Sequence, residues 1–241
     1  MSKLISLLFP RKCSLCSAPL HDAGESDALC PECMLKYSMM CEERCSACGE
    51  RQRDCRCERI DGADISLHLF EFASDTSRKL IYTLKRKNDK YLQNFIAAEA
   101  AAAIEKTVKN TYNIQKYKIS YVPRNPASIR DFGFDQSKLI ASKISKITGC
   151  EFVELFVHEK HMKTQKEISA SDRKDNAQQS YNAKKNAKTD GTVVIIDDVT
   201  TSGSTLARCS ELARGLGAEN VLAFAVAMTP KRKKTDHEKN N

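Results

Sequence analysis

Beyond about residue 62 the hydrophobic positions alternate between two spacings. Four β-branched residues in a row, Val193–Ile196, predict a strand buried on both faces, as in a parallel sheet. Val221–Ala227 predicts a last buried strand, and Leu67–Phe72 alternates with the period of a strand. Lys118–Val122, ended by Pro123, and the short Glu151–Val157 complete the strand candidates. Helical spacing fills the gaps. One helix, capped by Ser74 or Asp75, runs through Arg78–Lys87 with a basic end that suits the helix dipole. An Ala-rich helix spans Tyr91 to Val108, another reaches Thr148 before Gly149 stops it, and a fourth covers Leu206–Arg214.

Two polar stretches break this pattern. His158–Asn186 is rich in Lys, Gln, Asn and Ser without apolar periodicity, which predicts a surface loop able to serve as a lid. Lys231–Asn241 is a charged stretch expected to be disordered. Asn125–Gln136, after the Lys118–Val122 strand, is expected to be a loop at the end of a strand, where α/β sheets bind ligands.

Composition matters chiefly through cysteine. Nine of eleven cysteines precede residue 60. They form Cys13-x-x-Cys16, Cys30-x-x-Cys33, Cys45-x-x-Cys48 and Cys55-x-Cys57, with Cys41 as a spare buried thiol. Two intervening residues let both sulfurs reach one tetrahedral ion, so this block predicts one or two structural Zn2+ sites. Pairing in sequence order is simplest, a crossed arrangement remains open, and the shorter Cys55-x-Cys57 leaves the second site in question. The block is too polar to be expected to fold without metal. The expected division is a zinc-ribbon domain over 1–60, a larger domain over 61–230 and the tail 231–241.

The chain has 241 residues and a net charge of +8, compatible with an anionic substrate or nucleic acid. Lys231-Arg-Lys-Lys234 predicts weak, salt-sensitive binding to single-stranded DNA. No stretch is apolar enough for membrane insertion, and Met1–Pro10 lacks the core and cleavage site of a secretory leader. A cytoplasmic location is expected, where paired cysteines bind metal rather than form disulfides.

The chemistry concentrates after Val193–Ile196. The strand is expected to stop at Asp197 and Asp198, followed by the hydroxyl-rich Thr200–Thr205 and then a helix. A loop at a helix N-terminus suits one phosphate. Two carboxylates beside it would repel a bare phosphate, but they suit vicinal hydroxyls or a divalent cation, as on a ribose 5-phosphate. There is neither a P-loop lysine after the glycine nor a dinucleotide fingerprint.

This stretch resembles the phosphoribosyl pyrophosphate (PRPP) signature of type I phosphoribosyltransferases, with Ser202 where Thr is usual. Together with the cysteine block, the chain resembles the ComF family of competence-related proteins. Tyr82–Lys85 is similar to that family's Leu-Lys element, Phe132–Gln136 to its Arg-Gly-Phe-Asn-Gln, and Thr164–Asn176 to its Gln…Leu-Ser…Arg…Asn stretch. Phe132 and Asp135 depart from the pattern, the first removing a cation.

The resemblance implies a zinc ribbon followed by a mostly parallel α/β sheet with helices on both faces and a small hood. It implies transfer of a 5-phosphoribosyl group from PRPP to an unknown acceptor, with release of pyrophosphate. Asp197 and Asp198 would hold the ribose hydroxyls, directly or through Mg2+. Thr201, Ser202, Gly203, Ser204 and Thr205 would hold the 5-phosphate. Lys85, Arg124, Lys163 and Arg173 would serve the pyrophosphate side and lid, and no residue stands out as general base. A role in DNA uptake with competence-machinery partners is also implied. The alternative is a PRPP- or nucleotide-binding module without turnover, acting through protein or DNA partners.

Overall fold

A computed structural model describes residues 10–20, 24, 27–45, 48–51, 54–57, 59–112, 116–159 and 180–230. Lys163, Arg173, the Thr164–Asn176 stretch and the tail from Lys231 lie outside the described residues.

The central feature is a five-stranded sheet in the order β3-β9-β8-β4-β5, with every neighbouring pair parallel. These strands are β3 (Ile65–Glu71), β4 (Lys118–Tyr121), β5 (Glu151–Phe152), β8 (Thr192–Thr200) and β9 (Asn220–Met228). Alternate residues of β8 serve opposite faces, as strand geometry requires. Val194 and Ile196 join the cluster under α3 (Lys90–Tyr112) and α5 (Gln136–Thr148), with Ile96, Ile104, Ile140 and Ile144. Val193 and Ile195 join the cluster under α6 (Ser204–Gly215), with Leu206, Cys209 and Ala213. Helices on both faces explain why Val193–Ile196 is apolar without alternation.

Several expected boundaries move. Strand β8 does not stop at the acidic pair but continues to Thr200, because β9 keeps pairing with it through Asp197↔Ala225 and Thr200↔Met228. The backbone is satisfied there even though the side chains are acidic. The expected Glu151–Val157 strand divides in two. Strand β5 pairs with β4, while β6 (Phe156–His158) pairs antiparallel with β7 (Tyr181–Ala183), a strand from within the expected loop. Burial of Leu155 and Phe156 in the α6-side cluster turns the chain off the main sheet.

The cysteine block contains a β1–β2 hairpin (Arg11–Lys12 with Pro19–Leu20) and a helix, α1 (Pro31–Glu42). Tyr37 of α1 sits edge-on to Phe70 of β3 and Phe95 of α3, with ring centroids 6.1 and 4.9 Å away. Met40 and Cys41 enter the same buried cluster, so the block shares apolar contacts with the sheet. No helix among the described residues is long and apolar enough to cross a membrane.

Candidate functional site

At the C-terminal ends of β4 and β8 lies a cavity of about 410 Å³. Its walls include Lys85, Arg124, Gln136, Tyr181, Asp197, Asp198 and Thr205, with Asn125 and Ser128 at one side. Four separate stretches of the expected site thus meet there. Thr205 represents the hydroxyl loop in this lining, while Thr201 and Ser202 are exposed and Gly203 and Ser204 half-buried.

The two carboxylates occupy different surroundings. Asp198 is 5% exposed rather than lying at an open strand end. It accepts a hydrogen bond from Gln136 Nε2 and pairs with Lys85 Nζ at 3.3 Å. Asp197, one residue earlier, belongs to the opposite face of the sheet. Its Oδ1 accepts the Asp198 N–H at 2.8 Å. Burial, and then the charge of Asp198, push the Asp197 carboxyl up to about 8. The Tyr181 hydroxyl is also raised, by burial and by Asp197.

Lys85 lies in the last turn of α2 (Asp75–Arg86), whose N-cap is Ser74, accepting the Ser77 N–H at 3.1 Å. Arg124 is held in place by its own donors: Nη1 reaches Lys85 O at 3.1 Å and Phe134 O at 3.3 Å. Its guanidinium lies 4.6 Å from the centre of the Phe132 ring, and that of Arg86 lies 5.5 Å away. Phe132 therefore offers its ring to two cations where the related pattern has a third. The second departure, Asp135, receives Arg124 N–H at 2.8 Å on one oxygen and Lys138 N–H at 3.1 Å on the other. It caps α5 and ties down the loop before it.

The expected Asn125–Gln136 loop contains a helix, α4 (Pro126–Phe132), started by Asn125 and Pro126 and ended by Gly133 at φ +80°. Gly203 has the same φ, and a Cβ there would lie 3.3 Å from Ile60 Cγ1. A side chain at 203 would meet Ile60.

Both cysteine sets assemble in sequence order. The sulfurs of Cys13, Cys16, Cys30 and Cys33 all lie within 4.8 Å of one another, as do those of Cys45, Cys48, Cys55 and Cys57. Cys16 and Cys30 sulfurs are 3.6 Å apart and those of Cys48 and Cys55 3.7 Å. A tetrahedron with Zn–S bonds of about 2.3 Å has edges of about 3.8 Å, so two clusters can hold zinc. Burial and neighbouring thiols raise Cys33 and Cys55. Burial also opposes ionisation of Cys13, but the N–H groups of Cys16, Cys30 and Leu15 bring it down to about 7. Such crowded thiols become thiolates together only around a cation. Cys41, fully buried in α1, lies outside both sets.

Gln136 was legible only as part of a motif, and Tyr181 carried no signal within a polar stretch. Both line the cavity because of tertiary packing.

Residues 135–241 match the model of the phosphoribosyl transferase domain. The matched span includes the acidic pair and hydroxyl loop, while Lys85 and Arg124 precede it. Over 229 residues the chain is 25% identical to Competence protein F of Haemophilus influenzae, covering 91% of this chain and 97% of that protein. These two findings bear out the resemblance to ComF proteins. Among solved structures, adenine phosphoribosyltransferase from Leishmania tarentolae is 13% identical, covers 72% of this chain and 94% of its own, and gives a TM-score of 0.39. The adenine phosphoribosyltransferase from Saccharomyces cerevisiae is 20% identical, with coverages of 55% and 68% and a TM-score of 0.35.

Proposed function

We propose that this chain binds PRPP in the cavity beside Asp197 and Asp198 and transfers its 5-phosphoribosyl group to a nucleophile. The observation that carries this reading is the meeting of opposite chemistries in one cavity: two carboxylates facing Lys85, Arg124 and the N-terminus of α6. Ribose hydroxyls are donors for the carboxylates, while phosphate groups suit the cations and helix terminus. Thr201–Thr205 would hold the 5-phosphate, with Lys85 and Arg124 on the pyrophosphate side. Lys163 and Arg173, from the stretch outside the described residues, are proposed for the lid.

The oxygen-rich pair fits Mg2+, and the raised Asp197 carboxyl gives a reason for wanting a cation. Mg2+ would neutralise charge on the PRPP phosphates. The chain's own part is to orient the sugar and to stabilise charge as the bond to pyrophosphate lengthens. We assign the cysteine clusters a structural Zn2+ role, and the likeness to Competence protein F supports a part in DNA uptake.

Calorimetric titration of PRPP with Mg2+ tests this reading. Because cation or donor binding lowers the Asp197 carboxyl from about 8, binding at pH 7 should release protons. Repeating the titration in buffers of different ionisation enthalpy measures that release. Absence of binding would sink the proposal. A second reading, PRPP binding without turnover, is favoured by Phe132 standing where a further cation is usual. Pyrophosphate release with candidate acceptors separates the two.

A further inference from the structure

The first cysteine loop touches the element that carries Lys85. Ser14 follows Cys13 directly and is held by the loop: its N–H donates to Ala28 O at 2.9 Å, while Ser17 N–H donates to Cys13 O at 2.9 Å. The Ser14 hydroxyl leaves the loop and donates to Asp89 Oδ2 at 2.7 Å. The other oxygen of Asp89 accepts Tyr91 and Leu92 N–H groups at 3.0 and 3.1 Å, starting α3. On the near side, the Thr83 hydroxyl donates to Ser14 O at 3.5 Å, the long limit of such a bond. Thr83 and Asp89 thus flank Lys85, whose amine reaches Asp198 and whose carbonyl holds Arg124.

We infer that Ser14 is a positioning residue for the cavity: it fixes the turn between α2 and α3, and through it Lys85 and Arg124. No residue of the cysteine block lines the cavity among the described residues, so the effect passes through this turn. The cysteine block then does more than fold: it sets the cationic wall opposite the acidic pair. The identity of the ligand affected rests on the PRPP reading above; the positioning itself does not.

Hydrogen exchange and PRPP titration on the full-length, zinc-replete protein test it together. Ser14→Ala should keep its zinc, exchange faster across residues 83–89 than wild type, and leave 221–227 unchanged. It should also bind PRPP about fivefold more weakly, the effect of one ordinary hydrogen bond. Ser14→Thr, which keeps the hydroxyl, should restore both readouts. In a Lys85→Ala background Ser14→Ala should cost less affinity than in wild type, only the part carried through the residue-85 carbonyl to Arg124. Unchanged exchange in 83–89, or an undiminished affinity loss without Lys85, overturns the inference. If Ser14→Ala loses zinc, Thr83→Val cuts the loop's other hydrogen bond to this segment, away from the cysteines, and decides by the same readouts. If wild type fails to bind PRPP while exchange responds as expected, the ligand reading fails and the positioning role stands.

Discussion

Asp197 and Asp198 are neighbours with opposite outlooks, one facing Tyr181 and α6 and the other held by Gln136 and Lys85. Their titration follows from that difference. The folded-state value of Asp197 is raised from 3.8 to about 8, so its protonated form favours folding. That contribution is full below 3.8 and is lost as pH rises to about 8. Asp197→Asn should therefore flatten the fall in stability across that window and raise the melting temperature at pH 8. Each kcal/mol is worth roughly 2–4 °C in a chain of this size. Asp198→Asn relieves the same repulsion but deprives Lys85 and Gln136 of a charged partner, so its melting temperature should rise less. Thermal melts of both variants at pH 5 and pH 8 check the order, and a larger rise for Asp198→Asn would contradict it. Both should lose PRPP affinity roughly ten- to hundredfold, the worth of a charge-assisted hydrogen bond. The acidic pair was legible because strand, carboxylates, hydroxyls and helix lie within one short stretch. Its partner Gln136 is 62 residues away, and only packing joins them.

Among the elements, the strands and long helices were readable because their spacing repeats over enough residues to show a period. Helix α4, at seven residues, is too short to show one. Helix α1 was hidden for another reason: two of the four residues on its buried stripe are cysteines, Cys33 and Cys41, and the stripe packs on Phe70 and Phe95 far along the chain. In the turn into α6, Gly203→Val should destabilise the protein, because φ is +80° and the new Cβ meets Ile60 at 3.3 Å. A left-handed non-glycine residue costs about 1–2 kcal/mol, so the melting temperature should fall by several degrees. Gly203→Ala should cost less in an Ile60→Ala background, where the contacting Cγ1 is gone, with only part of the loss recovered because the backbone strain remains. Full recovery would show that the contact alone mattered. The α4 end makes a separate prediction. Phe132→Arg places a third cation beside Arg86 and Arg124, so the ligand-free protein should melt lower at low salt. Added salt should narrow that gap, which thermal melts across ionic strength would measure.

At the scale of the molecule, the cysteine block and the sheet depend on each other. Tyr37, Met40 and Cys41 of α1 share a buried cluster with Leu67, Leu69 and Phe70 of β3 and with Ile96 of α3. A polar, cysteine-rich block would be expected to unfold alone on metal loss and leave the α/β part as it was. The shared cluster argues otherwise. Without a cation the crowded thiols return to their protonated forms, the loops around Cys13 and Cys30 lose their anchor, and α1 loses its fixed start at Cys30–Pro31. Loosening α1 exposes the rings of Phe70 and Phe95, and full exposure of one such side chain costs about 1.5–3 kcal/mol. Chelation should therefore lower the melting temperature of the whole chain in a single transition, with zinc released in step with the loss. Cys13→Ser with Cys16→Ser should reproduce the shift without a chelator. Differential scanning calorimetry alongside elemental analysis makes the test. Two transitions, with the upper one unmoved by metal removal, would mean that the block and the sheet fold independently and that their common cluster contributes little.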